Sequence, residues 1–222
     1  MQRWLLRFLA FAACLAVVAI AFVAWLLRGS LPDLDGTIAH RGLEGPATIA
    51  RDAIGVPVIT ATSRTDLAFG TGVAHAQDRF FQMDLVRRQA AGELSALFGS
   101  AAVDADRHYR FHRFRNVARQ VYASLPADHR QLLDRYAEGV NVGLAGLGAR
   151  PFEYYVLRAE PEPWRAEDSL LVVYAMFLQL NDSRARGDVR HGFAHRCRRP
   201  ASRQRRSARS NGRTAGRDSQ AG

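Results

Sequence analysis

The chain has 222 residues, room for one domain of ordinary size, and a formal net charge of +10. Residues 190–222 contain ten Arg and one Asp and so carry +9 of that charge, which leaves the first 189 residues nearly neutral. The basic composition therefore gives no reason to expect a nucleic-acid partner for the body of the chain. The two cysteines, Cys14 and Cys197, lie in regions with no evident reason to meet, so the sequence implies no disulfide framework.

The first predicted element is a hydrophobic helix. Residues 8–27 form a run without charge, and a helix of that length, about 30 Å, suffices to cross a bilayer core. Arg3 and Arg7 precede the run, which favours a cytoplasmic N-terminus. A cleaved signal peptide is the alternative, but the length of the run favours an uncleaved signal anchor over residues 1–30. We therefore expect a bacterial inner-membrane protein whose body faces the periplasm or the cell exterior.

A short linker over residues 31–42 leads into a predicted β-hairpin and a long helix. Residues 47–51 and 56–61 have the alternation and β-branching of strands, and turn residues lie between them. Ser63 and Asp66 form a capping box that starts the helix. Apolar residues then recur at helical spacing as far as Phe98, so the sequence predicts one helix that ends before Gly99.

The second half of the body is predicted to be mostly helical. Residues 104–115, rich in His and Arg, are interpreted as a looser segment. Pro126 opens a helix with an apolar stripe at four-residue spacing, a proline-punctuated crossing segment follows, and residues 169–180 form a strongly apolar helix expected to lie in a core.

The tail, residues 190–222, has few large apolar residues and no periodicity, so it is predicted to be disordered. Its Arg-rich composition is that of a GC-rich gene translated out of frame, which is our interpretation. A genuine basic arm that binds phosphate groups is the alternative. Nucleic acid is not expected as a partner, because an exported body meets none and no aromatic residues interleave with the arginines.

Four stretches of the body form an ordered pattern. They are the hairpin at 45–61, the sequence GVAHAQDRFFQMDL at 72–85, the sequence YAEGVN at 136–141, and a proline-containing stretch at 151–170. In this order they resemble the first chain of penicillin acylases, which are N-terminal-nucleophile hydrolases. The resemblance covers about residues 42–183, and Val58 departs from it because many relatives carry His there.

The resemblance implies an α+β fold for residues 43–189: the first-chain portion of an αββα hydrolase, mostly helical with one N-terminal β-hairpin. In this family a precursor cleaves itself, and the Ser that begins the second chain acts as nucleophile and, through its own α-amine, as base. No such Ser can be placed here, so no residue is expected to be catalytic. We expect an N-terminal fragment of an amidohydrolase acting on linear amide bonds, truncated within the first chain and inactive alone.

The resemblance also implies binding residues. Met176, Phe177 and Leu180 are expected to line the acyl pocket, because their helix approaches the nucleophile in relatives; core packing is the alternative. A calcium ion, not required for the chemistry, is expected between the two chains of the full-length enzyme. Asp188 is the expected ligand and Asp182 the alternative.

Three other groups are interpreted as structural. The Ser-Asn dipeptide at 210–211 matches the start of a second chain. Only eleven residues follow it in the sequence, so the match is interpreted as a coincidence. His108 and His112 have the i, i+4 spacing of zinc ligands without an evident third ligand. Asp78 and Arg79 belong to a polar patch interpreted as architectural, and each is expected to pair with a group elsewhere.

The expected partners are the second chain of the same precursor, an N-acyl amide substrate, and the membrane through residues 8–27. One alternative is a membrane-anchored binding or regulatory module that uses the first-chain fold and a genuine basic tail. Another is a phosphate-binding arm on a membrane anchor.

Overall fold

A computed structural model describes residues 2–181 of the chain. The predictions for the Arg-rich tail, the dipeptide at 210–211, Asp182 and Asp188 lie outside the described residues. Helix α1, Gln2–Gly29, is long and apolar enough to cross a membrane, a property shared by membrane anchors and signal sequences. The predicted hydrophobic helix is therefore confirmed, and its role as a membrane anchor or a cleaved signal stays a prediction.

The predicted hairpin is confirmed. Strands β1, Ala47–Arg51, and β2, Pro57–Ala61, pair antiparallel with Ile49 opposite Ile59. In the turn, the Asp52 carboxylate accepts the backbone N–H groups of Ile54 at 3.0 Å and Val56 at 2.8 Å. The turn is therefore closed by an Asx-type interaction, as the residue types indicate.

Helix α2, Arg64–Ala91, begins as the sequence predicts and ends earlier. The Ser63 hydroxyl accepts the Asp66 N–H at 3.0 Å, which satisfies a free donor of the first turn. Asp66 does not complete the capping box. Its carboxylate instead accepts the N–H groups of Glu44 and Gly45, both at 3.0 Å, and so fixes the segment that leads into β1.

The prediction that this helix continues to Phe98 was wrong. Gly92 adopts a left-handed conformation (φ 69°), and its N–H reaches the carbonyls of Arg88 and Gln89, which ends α2. The following turn is held by the Asp106 carboxylate, which accepts the N–H groups of Leu94 and Ser95 at 2.8 Å. A separate short helix α3, Ser95–Phe98, follows.

The prediction of a loose segment at 104–115 was also wrong. After a 3₁₀ turn, Gly99–Ala102, the chain forms helix α4, Val103–Arg110, and then α5, Phe114–Ser124. Helix α4 has two acids in its first turn and Arg and His in its last turn, so its charges complement the helix dipole. The polar residues that suggest a loose segment in the sequence are thus the end charges that stabilise helix α4.

Two of the remaining three helices, the first and the last, are those predicted, and the short one between them lies in the segment interpreted as a proline-punctuated crossing. Helix α6, Ala127–Ala145, starts after Pro126, α7 spans Phe152–Leu157, and α8 spans Asp168–Asn181. Helices α2 and α6 pack closely because both carry Gly at the crossing: a Cβ on Gly72 would meet the Tyr136 carbonyl, and one on Gly139 the Phe69 carbonyl. The described chain is thus mostly helical with one hairpin, which is the predicted α+β class.

The core lies in two clusters. The larger contains Phe80, Val140, Tyr154 and Trp164, and the smaller contains Ala90, Ala118 and Leu171. The chain divides into two compact units, Met1–Ala175 and Met176–Gly222. Of the second unit the structure describes the last residues of α8, where the Asn181 side chain donates to the Phe177 carbonyl at 2.7 Å.

Candidate functional site

A buried carboxylate, Asp84, lies at the centre of the described fold. Its side chain is 0% exposed, although it carries a charge and lies on α2. Two guanidinium groups bind it: Nε of Arg87 at 2.7 Å and Nε of Arg88 at 2.9 Å. The Tyr154 hydroxyl of α7 donates to the other oxygen at 2.7 Å. One acid therefore ties two turns of α2 to α7.

Arg87 extends this group of charges to the start of α8. Its Nη1 donates to the Asp168 carboxylate at 2.7 Å, and its two Nη atoms also reach the carbonyls of Pro163 and Glu162. The guanidinium carbon lies 5.0 Å from the centre of the Trp164 ring. Such planar, multiply bonded contacts are the geometry that Arg offers and Lys cannot.

Asp168, 1% exposed, is the second acid of the group. It accepts the backbone N–H of Arg165 at 2.9 Å, which satisfies the turn before α8, and it also pairs with Arg115 of α5. Arg115 in turn holds Glu93 with two bonds, at 2.6 and 3.1 Å. We call Asp84, Arg87, Arg88, Arg115 and Asp168 the ionic cluster.

The pKa values of Arg88 and of the neighbouring Tyr154 hydroxyl are both raised. Burial alone opposes the charge of Arg88, but the Asp84 carboxylate outweighs it and raises the pKa of Arg88. Burial, with the hydrogen bond to Asp84, raises the pKa of the Tyr154 hydroxyl. Arg88 and Tyr154 therefore stay protonated and donate to Asp84, which suits a cluster that holds helices in position.

The four sequence motifs contact one another in three dimensions. Asn141 of the YAEGVN stretch donates to the Trp164 carbonyl at 2.9 Å and accepts the Trp164 N–H at 2.7 Å. Arg51 of the hairpin binds Asp78 of α2 with its closest approach at 2.7 Å. The four stretches therefore form one connected scaffold, and the predicted pairing of Asp78 is confirmed. The pairing predicted for Arg79 is not found, because this exposed side chain forms no hydrogen bond or ion pair within residues 2–181.

A groove of about 970 Å³ opens beside this scaffold. Apolar side chains from α2 and α6 dominate it, including Met83, Val86 and Leu132, and Val172 closes one end. The His75 ring at the rim hydrogen-bonds the Tyr136 hydroxyl at 2.9 Å. Burial lowers the pKa of His75, with nearby Arg79 acting in the same direction, and burial raises the pKa of Tyr136 to about 12. Both groups are therefore uncharged near neutral pH.

The predicted acyl-pocket residues are exposed in the described chain. Met176, Phe177 and Leu180 are 57%, 58% and 66% exposed on the last turns of α8. Within residues 2–181 no three His, Cys, Asp or Glu side chains cluster as metal ligands. His108 and His112 stack edge to face, with ring centres 6.3 Å apart, and α4 ends at Arg110 between them.

The ionic cluster was not predicted from the sequence. A signal was present, because Asp84, Arg87 and Arg88 follow Phe80 at helical spacing and so share its buried face. Their partners are far away in sequence, which periodicity alone does not reveal.

Comparisons with known proteins point to one family. The sequence model described as Penicillin amidase matches residues 46–216. The penicillin acylase 2 proenzyme of Pseudomonas sp. (strain SE83) is 39% identical over 147 residues, 66% of this chain and 19% of the proenzyme. The acyl-homoserine lactone acylase QuiP of Pseudomonas fluorescens (strain Pf0-1) is 31% identical over 174 residues, 78% of this chain and 21% of that protein.

A solved structure agrees. The thermostable penicillin G acylase from Alcaligenes faecalis superposes with a TM-score of 0.56 at 32% identity, over 62% of this chain and 75% of that one. This chain spans about a fifth of the length of the curated relatives that it matches.

Proposed function

Because the chain belongs to the penicillin amidase family, we propose that it supplies the first-chain scaffold of an amidohydrolase that cleaves N-acyl amide bonds. The observation that carries this proposal is the meeting of the four motifs: Arg51 with Asp78, Tyr154 with Asp84, and Asn141 with Trp164. These contacts fix the hairpin, α2, α6 and α7 as one unit on which a second chain can assemble.

The nucleophile in this proposal belongs to the second chain. Family resemblance supports an N-terminal Ser whose hydroxyl attacks the amide carbonyl while its α-amine takes the proton. An acyl-enzyme forms, the amine product leaves, and water then releases the acid. The residues described here provide no step of that chemistry. Their part is to hold the second chain and to shape the surface that receives the acyl group.

Met176, Phe177 and Leu180 are the residues that we propose to contact the acyl group. Their helical spacing and their exposure support this, because large apolar side chains on one stripe of a helix gain by being covered. Met adapts well to varied apolar shapes. A Met176→Trp substitution should therefore shift hydrolysis toward shorter acyl chains, whereas Gln179→Ala on the same helix should leave the preference unchanged.

Calcium and the membrane complete the proposal. Asp188, or Asp182 in its place, would supply a hard oxygen ligand to a calcium ion held with the second chain. Helix α1 would either anchor the enzyme in the inner membrane or direct its export, with the body in the periplasm. Calcium titration of the assembled enzyme, with Asp188→Asn as the variant, checks the first point.

A chimeric proenzyme tests the function. Residues 42–181 replace the matching stretch of the SE83 proenzyme, and self-cleavage and hydrolysis of a panel of chromogenic N-acyl amides are measured. We expect two chains and acyl-amide hydrolysis. The control replaces the first Ser of the second chain by Ala, which should abolish both. A folded chimera that neither cleaves itself nor hydrolyses any amide would favour the alternative of an anchored binding module.

A further inference from the structure

The C-terminal end of helix α1 packs against the body of the chain. The Ser30 hydroxyl, just after the helix, donates to the Arg150 carbonyl at 2.9 Å. The backbones also approach closely: a Cβ on Gly29 would lie 3.2 Å from the Ala149 Cβ, and one on Gly148 would lie 3.3 Å from the Gly29 carbonyl oxygen. Helix α1 is therefore held to the body by its linker and by contact with the connection between α6 and α7.

The tryptophans of α1 indicate how deep this contact lies when the helix crosses a bilayer. Trp4 and Trp25 are both exposed and stand 21 positions apart, about 32 Å along a helix axis, which is close to the thickness of a hydrocarbon core. Trp is enriched at the boundary between hydrocarbon and headgroups. Gly29 follows Trp25 by four positions, about 6 Å, and so falls within the headgroup layer. The connection that packs on Gly29 then lies at the level of the headgroups.

Helix α7 begins directly after that connection and has an apolar face that the described chain leaves uncovered. Its Tyr154 is fully buried, whereas Phe152 and Val156, two positions to either side, are exposed. Positions four apart lie on one stripe of a helix, so the two exposed side chains share a face opposite to Tyr154. We call Phe152 and Val156 the outer face of α7.

The outer face of α7 starts beside the last turns of α1. A cavity of about 660 Å³ lies between the two helices; Ala24 and Leu27 of α1 line it, and so do Phe81, Leu147 and Phe152 of the body. Ala24 directly precedes Trp25, so it lies at the hydrocarbon boundary when α1 crosses a bilayer. Phe152, which lines the same cavity, is therefore placed close to that boundary.

We propose that the outer face of α7 inserts into the headgroup–hydrocarbon boundary of the membrane that α1 crosses, in the leaflet on the body's side. This inference rests on the anchoring role proposed for α1. The occupant is lipid because the contact between α1 and the connection before α7 carries this face to the bilayer. Burial of two large apolar side chains favours the insertion. With α1 and α7 both held, the body presents a fixed face to the membrane.

Depth-dependent fluorescence quenching tests the contact. The full 222-residue chain carries Cys14→Ser and Cys197→Ser, and one new cysteine bears an environment-sensitive fluorophore. Each labelled chain is reconstituted in phosphatidylcholine vesicles that contain spin-labelled lipid. A fluorophore at Val156→Cys should lose about half or more of its emission to a spin label near the headgroups. One at Phe111→Cys, which follows α4 and is exposed to a similar degree, 86% against 75%, should lose little.

A third labelled position separates failure of this inference from failure of the anchor. A fluorophore at Val17→Cys, in the middle of α1, should be quenched by a spin label deep in the acyl chains. Quenching at Val17 without quenching at Val156 would overturn the α7 contact and leave the anchor standing, and quenching at neither would overturn both. Equal quenching at Phe111 and Val156 would also overturn the inference, because the body would then meet lipid without a fixed face. If the second chain of the SE83 proenzyme abolishes the Val156 quenching when it is added, the face belongs to that chain and the inference fails.

Discussion

The substitution Asp84→Asn should lower the free energy of unfolding more than the neutralisation of any surface acid does. Asp84 is fully buried and binds Arg87 and Arg88, which are themselves 3% and 4% exposed. An amide at this position keeps the shape and one acceptor, and it removes the negative charge. The buried guanidinium groups of Arg87 and Arg88 then lose the negative charge that both of them bind. The Tyr154 hydroxyl loses a charged acceptor.

The expected loss follows from the cost of leaving a buried charge without its partner. Removing one member of a buried pair costs about 3–5 kcal/mol, a large part of the roughly 5–15 kcal/mol that stabilises a typical domain. Arg87 keeps Asp168 and two carbonyls, so the lower half of that range is expected. With a urea slope of about 2 kcal/mol per M, the midpoint should fall by about 2 M.

Urea unfolding of the full chain in detergent, followed by circular dichroism, measures this shift. The matched control is Asp104→Asn, because Asp104 pairs with Arg107 on the surface, where the two side chains are 94% and 77% exposed. The control should change stability by less than about 0.5 kcal/mol. If Asp84→Asn unfolds within about 1 kcal/mol of wild type, the ionic cluster does not hold the scaffold together and the reasoning fails.

Three further predictions concern helix packing, capping and acid. Gly139→Ala should cost about 2–4 kcal/mol, because its Cβ would meet the Phe69 carbonyl and force α2 and α6 apart. Ser63→Ala should cost about 1 kcal/mol through loss of the bond to the N–H in the first turn of α2. Asp106 has a pKa lowered by N–H groups that outweigh its burial, so its contribution to stability is present above about pH 4 and is lost as pH falls through the lowered pKa.

Each of these has a control and a contradicting result. Gly146→Ala, whose Cβ would come no closer than 3.3 Å to a neighbour, should be tolerated; equal losses at Gly146 and Gly139 would count against the close crossing. Ser63→Asp should retain most of the stability that Ser63→Ala loses. Asp106→Asn should flatten the unfolding free energy between about pH 5 and pH 3, and an unchanged slope would show that Asp106 is not the titrating group.

The sequence predicted the elements that local chemistry decides. Alternating residues on either side of the turn from Asp52 to Gly55 produced the hairpin, Ser63 started α2, and Pro126 preceded α6. Each of these depends on residues within a few positions of one another. The family resemblance, carried by four such stretches, was confirmed for the same reason.

The features that the sequence did not predict depend on distant partners. The turn that follows the end of α2 at Gly92 is stabilised by Asp106. The apolar periodicity continues past Gly92 and so does not indicate that the helix ends there. The ionic cluster joins Arg87 to an acid 81 positions away. A charged residue on a helix is ordinarily expected to face solvent. It is buried only where a residue distant in sequence pairs with its charge.

The acyl-pocket and calcium residues stay predictions. Met176, Phe177 and Leu180 are exposed as a ligand-facing stripe requires, but an uncovered core helix has the same exposure. Asp188 lies beyond the described residues. Both depend on the second chain, whose contacts cannot be derived from the periodicity of the first.

The most direct measurement is the rate at which an N-acyl chromogenic amide is hydrolysed when this chain is added to a separately produced second chain of the SE83 proenzyme. We expect little hydrolysis by either chain alone and a rate that rises with added wild-type chain until the second chain is saturated. Asp84→Asn should require more chain for the same rate. Hydrolysis by this chain alone, or no increase on mixing two folded chains, would contradict the account.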